Sequence, residues 1–275
     1  MMGDVTTNLV GLYREGLFEE FLHQTPEASR EPLERQVERF RKFYIPSDTR
    51  FFKDMRTLST FKNVVLPHYP PSKTIRIACV GCSDGREPYS FLLANWNQRQ
   101  ILQIDAFDIN SHSLETAVKG EYGVSTHPVY GELTYLNALE LANPGEAYTI
   151  SNGNHVGLRK VNLTEDARKN VNFQIHDIVQ EPLPRNDYDV VLLLCMLMHF
   201  SPEGRERVLS NVHSSIKNDG WLLCEETNWR DPLKGRFEYF KWMENLERFG
   251  FIKQRIILPN YFQQDQTHYT QIYRR

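Results

Sequence analysis

Acids and glycines gather where apolar runs give way to loops, and those places are the first chemistry the sequence offers. The run IRIACV is followed by Gly81-Cys82-Ser83-Asp84-Gly85 and then by Arg86-Glu87-Pro88-Tyr89-Ser90 entering a helical segment. Glycines at a strand-to-helix turn permit a left-handed backbone and let a ligand approach the main chain, and in an open parallel sheet ligands sit beyond the carboxyl ends of the strands. Glu87 at the helix start can accept an ammonium group. The run QIDAFDI places Asp108 at its end, where a carboxylate can accept from both hydroxyls of a ribose. VNFQIHDI ends at Asp177 and Ile178; the acid can take an adenine amino group while Ile178 or Ile109 packs on the ring. Taken singly, Glu87 is also a first-turn acid favoured by the helix dipole, and each of the others is also an ordinary loop acid. In this order they describe one ligand, S-adenosylmethionine, with S-adenosylhomocysteine as its product.

Other ligands fit less well. The turn has no G-x-G-x-x-G and no G-x-x-x-x-G-K-[ST], so neither the dinucleotide nor the P-loop fingerprint is met. Cys79 and Cys82 form a C-x-x-C, but Cys79 lies inside a strand-like run and no second pair completes a zinc site, so neither redox nor metal chemistry is expected. For methyl transfer the protein must align acceptor, methyl carbon and sulfur, and deprotonate a weak nucleophile. His199, just past the run YDVVLLLCML, is the candidate base because imidazole titrates near working pH; its plainer reading is a packing histidine at a strand-to-helix junction. Arg86, Glu226 (with Glu225) and Trp229 are candidates for the acceptor pocket, against capping and loop packing.

The elements that must position these residues follow from periodicity. From Thr74 onward, apolar runs alternate with helical segments: IRIACV, PYSFLLANW, QIDAFDI, SLETAVKG, VNFQIHDI, YDVVLLLCML, EGRERVLSNVHSSI and GWLLCEE. Continuous apolar runs are strands buried on both faces, and their alternation with helices predicts an α/β fold with a Rossmann-like, doubly wound sheet. FGFIKQRIILP and HYTQIYRR read as a C-terminal antiparallel hairpin at a sheet edge. Residues 1–70 are expected to form a small helical module ending in the proline-rich linker LPHYPPSKT, and 71–275 the cofactor-binding domain, with 120–170 an insertion or lid. At 275 residues, 24% of them charged and 40% hydrophobic, the chain can bury a core. A net charge of −3 argues against nucleic acid as a partner. Without a signal-like or membrane-spanning run, and with four cysteines in apolar surroundings, a cytoplasmic location away from membranes is expected.

GCSDGREPYS, TRFFKD, FDIN and the VKGEY segment ending at Tyr122 together resemble the CheR-type chemoreceptor methyltransferase family, which O-methylates receptor glutamates using S-adenosylmethionine. The likeness runs from about Ser47 to Lys217. It implies the class I methyltransferase fold. It also implies that Thr49 closes over the cofactor, with Lys53 on the same segment, that Glu87 takes the ammonium and Asp108 the ribose, and that Asp177 and Ile178 take the adenine. The turn residues Gly81, Cys82, Ser83 and Gly85 and, after the fourth strand, Cys195 complete the implied cofactor set. Departures cluster on the acceptor side. The family's T-x-F-F-R ends here in Lys53, which loses bidentate geometry; its G-E-E-P has become Gly85-Arg86-Glu87-Pro88; its C-R-N-V-L-I-Y-F aligns with Leu193 to Phe200, replacing arginine, asparagine and tyrosine by Leu194, Cys195 and His199. A basic receptor-binding helix would fall on Arg35, Arg39, Arg41 and Lys42, but Glu34 and Glu38 interrupt it, as on a solvated face. These changes predict a small molecule or natural-product intermediate as acceptor, with a protein glutamate on chemoreceptor-like helices as the alternative. A methyl acceptor, small or peptidic, is the partner expected; the oligomeric state is not specified.

Overall fold

The computed structural model describes residues 26–32, 35–36, 39, 49–127, 132–142, 145–153, 157–197, 200, 202–227, 246, 248–253 and 268–275. Most of the N-terminal stretch read as helical, together with His199 and Trp229, lies outside these residues. In chain order the strands are β1 (Ile75–Val80), β2 (Leu102–Asp108), β3 (Glu121–Ser125), β4 (Tyr148–Asn152), β5 (Leu158–Leu163), β6 (Val171–Ile175), β7 (Tyr188–Leu193), β8 (Ile216–Thr227), β9 (Ile252–Lys253) and β10 (His268–Arg274). Seven of them form one sheet in the order β6-β2-β1-β7-β8-β10-β9. The pairs from β6 to β8 are parallel, and β10 runs antiparallel to both β8 and β9. The expected terminal hairpin is therefore present, with β10 inside and the short β9 outermost.

Burial on both faces explains why the apolar runs became strands. All six residues of β7 are buried, and alternate residues feed two separate cores. Ile77, Cys79, Val190, Leu192 and Leu223 pack on one side, and Ala78, Val80, Val191, Leu193 and Leu222 on the other. The helices are α1 (Met55–Thr60), α2 (Arg86–Ala94), α3 (Ser111–Lys119), α4 (Glu132–Ala142), α5 (Glu165–Arg168) and α6 (Pro202–Ser215). Their ends follow local chemistry. Asp54 accepts from the backbone N–H of Arg56 at 3.0 Å and of Thr57 at 3.1 Å, starting α1. Asn110 does the same for His112 and Ser113 at the start of α3, which Gly120 stops in a left-handed conformation.

Residues 121–163 form a second, three-stranded antiparallel sheet in the order β3-β5-β4, between α3 and β6. At the opposite end of the main sheet the linker is pinned. The buried Asp189 of β7 accepts from Lys73 Nζ at 2.8 Å, Lys217 Nζ at 3.1 Å and the backbone N–H of Arg76 at 3.0 Å, and the Tyr69 hydroxyl donates to the Asp189 carbonyl. Among the described residues no helix is long and apolar enough to cross a membrane, and no group of three or more His, Cys, Asp and Glu is placed to hold a metal ion.

Candidate functional site

The turn after β1 is built for close approach. Gly81, Ser83 and Gly85 all have positive φ, at 74°, 51° and 87°. A Cβ on Gly85 would lie 2.7 Å from Ala117 Cβ and 2.9 Å from Phe173 Cζ; one on Gly81 would lie 2.5 Å from Met196 Sδ, so the chain leaving β7 crosses directly over the turn. Gly85→Ala combines backbone strain with a clash on both sides and should cost about 2–4 kcal/mol in urea unfolding; a loss below about 0.5 kcal/mol, the range of an ordinary surface change, would contradict this placement.

Asp108 is buried at the end of β2 and ties the turn to its neighbouring strand. One carboxylate oxygen accepts from the Ser83 N–H at 2.7 Å and the other from the Asn110 N–H at 2.8 Å. Burial pushes its pKa up, against the pull of the Asn110, Ser83 and Ile109 backbone N–H groups. Each oxygen keeps a further lone pair for an incoming donor. Beside it, Ser83 Oγ is buried with no hydrogen-bond partner among the described residues, a polar atom that a bound ligand can satisfy. The residues present therefore fit S-adenosylmethionine.

A small, partly solvent-open cleft beside α2 is lined by Thr49, Lys53, Glu87 and Cys195 together with Arg50, Asp54 and Ser90. Four of the expected cofactor residues, drawn from three distant stretches of sequence, thus share one wall. The Cys79 thiol donates to Glu87 Oε1 at 3.0 Å from within the core, orienting the carboxylate. Burial first, then Glu87, holds the Cys79 thiol protonated; burial and Asp108 do the same for Cys82. Both cysteines are structural rather than nucleophilic. Phe52 and Cys195, which flank the cleft, have φ of 56° and 52°, so with Ser83 three of the four non-glycine residues at positive φ among the described residues surround this site. Backbone strain of this kind concentrates where a ligand is held.

The adenine end is one strand further along. The His176 N–H donates to the Asp108 carbonyl at 3.1 Å, which places Asp177 and Ile178 next to the ribose acid. One oxygen of Asp177 accepts from the Val179 N–H at 3.0 Å. Ile178 is buried in the second core, whereas Ile109 is only partly buried, so Ile109 is the better placed to meet a planar ring.

On the acceptor side the picture differs from expectation. Arg86, expected in the acceptor pocket, is engaged within the chain: Nη1 lies 3.3 Å from Glu132 Oε1, Nη2 donates to the Gly123 carbonyl at 3.0 Å, and Nε is 3.2 Å from Asp84 Oδ2. Its planar group also lies over the rings of Phe51 and Tyr122. Two of its nitrogens donate internally and Nε meets Asp84 only as an ion pair without hydrogen-bond geometry, so among the described residues Arg86 serves as an internal clamp. Glu226 is in β8, opposite Tyr269 of β10; His199 and Trp229 fall outside the described residues. Glu132, Ser90 and Tyr122 join the site through contacts across the chain that no local spacing foretells; only Tyr122 and Ser90 stood inside motifs that could have flagged them.

Residues 47–242 match the family described as CheR methyltransferase, SAM binding domain. The chain belongs to the CheR methyltransferase family. It is 28% identical over 177 residues to a protein of Pseudomonas putida named as a methyltransferase, Cher3, covering 64% of this chain and 62% of that one. It is 25% identical over 200 residues to a chemotaxis protein methyltransferase of Vibrio parahaemolyticus, covering 70% of this chain and 68% of the relative. The chain thus spans less than two thirds of the first relative's length. A solved structure, the CurJ carbon methyltransferase, superposes with a TM-score of 0.51 at 14% identity, covering 94% of this chain and 65% of that one, which shows the class I methyltransferase fold. The matched region is the family's S-adenosylmethionine-binding domain, and the turn, Asp108 and the cleft are where the residues expected on its cofactor side lie.

Proposed function

We propose that this methyltransferase esterifies a side-chain carboxylate of a protein, the reading first set second to a small-molecule acceptor. The observation that carries it is the cleft lining: Arg50 and Lys53 stand there beside the acids Asp54 and Glu87, so an anionic acceptor finds cations at the cleft that Glu87 shares. The names of the relatives support it, since the Vibrio parahaemolyticus protein is a chemotaxis protein methyltransferase. Bound S-adenosylmethionine supplies a methyl group on a sulfonium, whose departure as a neutral thioether makes an ionised carboxylate a sufficient nucleophile. Such an acceptor needs orientation rather than deprotonation. That removes the demand for a base, and His199 becomes dispensable for chemistry under this reading. Asp108 and Ser83 hold the ribose side, Glu87 fixed by Cys79 holds the ammonium, and Thr49, with Lys53, closes the cleft.

The test is the alkali stability of the product. Incubation with methyl-labelled S-adenosylmethionine and an acidic helical protein should yield label released as volatile methanol at high pH. Label that survives alkali, or appears only on small molecules, would return the acceptor to the hydroxyl or amine class.

A further inference from the structure

The geometry points to Arg86 as the positioning residue that holds the segment 49–54 closed over the cofactor turn. That segment presents Thr49, Arg50 and Lys53 to the cleft, and its backbone is fixed at two consecutive amides. The Phe51 N–H donates to Glu132 Oε1 at 2.7 Å, and the Phe52 N–H donates to Ser90 Oγ at 2.9 Å. Both anchors lead to Arg86. The same Glu132 oxygen lies 3.3 Å from Arg86 Nη1, and Ser90 Oγ donates to the Arg86 carbonyl at 2.6 Å. Side-chain stacking repeats the connection: the guanidinium lies 5.6 Å from the centre of the Phe51 ring and 5.2 Å from that of Tyr122, and those two rings meet edge to face at 5.0 Å.

The clamp reaches three ways. Through Nε, Arg86 faces Asp84 of the cofactor turn, whose carbonyl accepts from the Tyr122 hydroxyl at 2.8 Å. Through Nη2 it holds Gly123 of β3 in the smaller sheet. Through Nη1 it meets Glu132, which is buried at the start of α4 and whose pKa burial pushes up against the pull of Phe51 and Arg86. Only a planar group with several donors can serve a carboxylate, a carbonyl and two ring faces at once. Removing it takes from the buried Glu132 carboxylate its one side-chain hydrogen-bond donor among the described residues and leaves Arg50 as the remaining cation, so the acceptor of the Phe51 amide is less firmly held. The cofactor-binding turn, the smaller sheet and the segment carrying the cleft cations therefore move as one body or not at all, and Arg86 is what joins them.

This rests on the cofactor site described above but not on the nature of the acceptor, and the experiment separates the two. Amide hydrogen exchange of the peptide covering residues 49–54 is measured in the full-length chain without any ligand, for the parent, Arg86→Met, Arg86→Lys and Glu132→Gln. Affinity for S-adenosylhomocysteine is then measured by calorimetry well below each variant's melting temperature. Arg86→Met should speed exchange at Phe51 at least ~10-fold and weaken S-adenosylhomocysteine at least ~10-fold, with a smaller change at Phe52, whose acceptor Ser90 bonds the Arg86 main chain and not its side chain. Arg86→Lys should recover less than half of either effect in logarithmic terms, and Arg86→Met combined with Glu132→Gln should lose little beyond Arg86→Met alone. If Arg86→Met does not fold, Arg86→Lys and Glu132→Gln carry the same comparison. Variants that melt earlier yet keep parental exchange at Phe51 and Phe52 and affinity within twofold would show a purely structural arginine and overturn the proposal. Failure of the acceptor assignment leaves these two readouts unchanged, because neither contains an acceptor.

Discussion

Asp108→Ala should bind S-adenosylhomocysteine at least ~100-fold more weakly than the parent chain, roughly 2.8 kcal/mol at 1.4 kcal/mol per tenfold. The size follows from what the carboxylate does twice. It accepts from the Ser83 and Asn110 amides, so it shapes the turn, and its remaining lone pairs are the acceptors available to two ribose hydroxyls. Each buried N–H left without a partner costs about 1–3 kcal/mol, so the variant should also lose stability. Calorimetry at low temperature with circular dichroism as a fold check separates the two losses. A folded variant binding within threefold of the parent would remove Asp108 from the cofactor site. The sign of the pH effect is also set. Burial raises this acid's pKa, so the native apo chain binds its proton more tightly than the unfolded chain does. Ionising it as pH rises costs stability, and hydroxyl donors from the ligand relieve that cost. Affinity should therefore fall as the medium is made acid through the raised pKa.

Asp189→Ala should destabilise the chain by about 3 kcal/mol, toward the low end of what breaking a buried ion pair costs, because the two lysines left behind can turn to solvent. Burial alone would raise the pKa of Asp189, but the Arg76 N–H and the Lys73 and Lys217 ammonium groups outweigh it and hold the carboxyl below the usual carboxylate range. A depressed native pKa contributes stability that is complete above the unfolded value of ~4 and is lost as pH falls through the native one. Urea midpoints at pH 7 and pH 3 should therefore differ more for the parent than for Asp189→Ala. Equal differences would mean that the cluster contributes nothing to acid stability. The site lies at the far end of the sheet from Asp108, so the effects of the two substitutions on stability should add.

The main sheet was legible because its strands are buried on both faces. IRIACV and YDVVLLLC could hardly be anything else; Gly81 marks where the first stops, and Asp108 where QIDAFD stops. The smaller sheet was not, because its strands carry little burial pattern: LRKVNL and YTISN each bury only one or two of their residues, which leaves an alternation too weak to separate from a loop. The positions of Glu87, Asp108 and Asp177 at the ends of successive strands and turns were readable from their order along the chain. Glu132 was invisible for the opposite reason: its partners Phe51 and Arg86 lie 81 and 46 residues away, and nothing in its own neighbourhood departs from an ordinary first-turn acid. Arg86 was legible as a cation beside the turn, but its contacts with Glu132 and Gly123 were not, since a sequence shows the charge of a side chain but not where it is turned.

The sorting of alternate residues between the two cores has a consequence for strand β1. Were β1 to slip by one residue against β2 and β7, every side chain would change sides. Cys79 would leave the layer from which it donates to Glu87, and Ala78 would take its place with nothing to donate. The slip would also carry Arg76 into the buried layer held by Ile75 and Ile77 and set Ala78 where a larger group packs, so the core resists it, and it would release the Glu87 carboxylate. Strand alignment is thus enforced twice, by a core that cannot take the charge of Arg76 and by the Cys79 thiol that must reach Glu87.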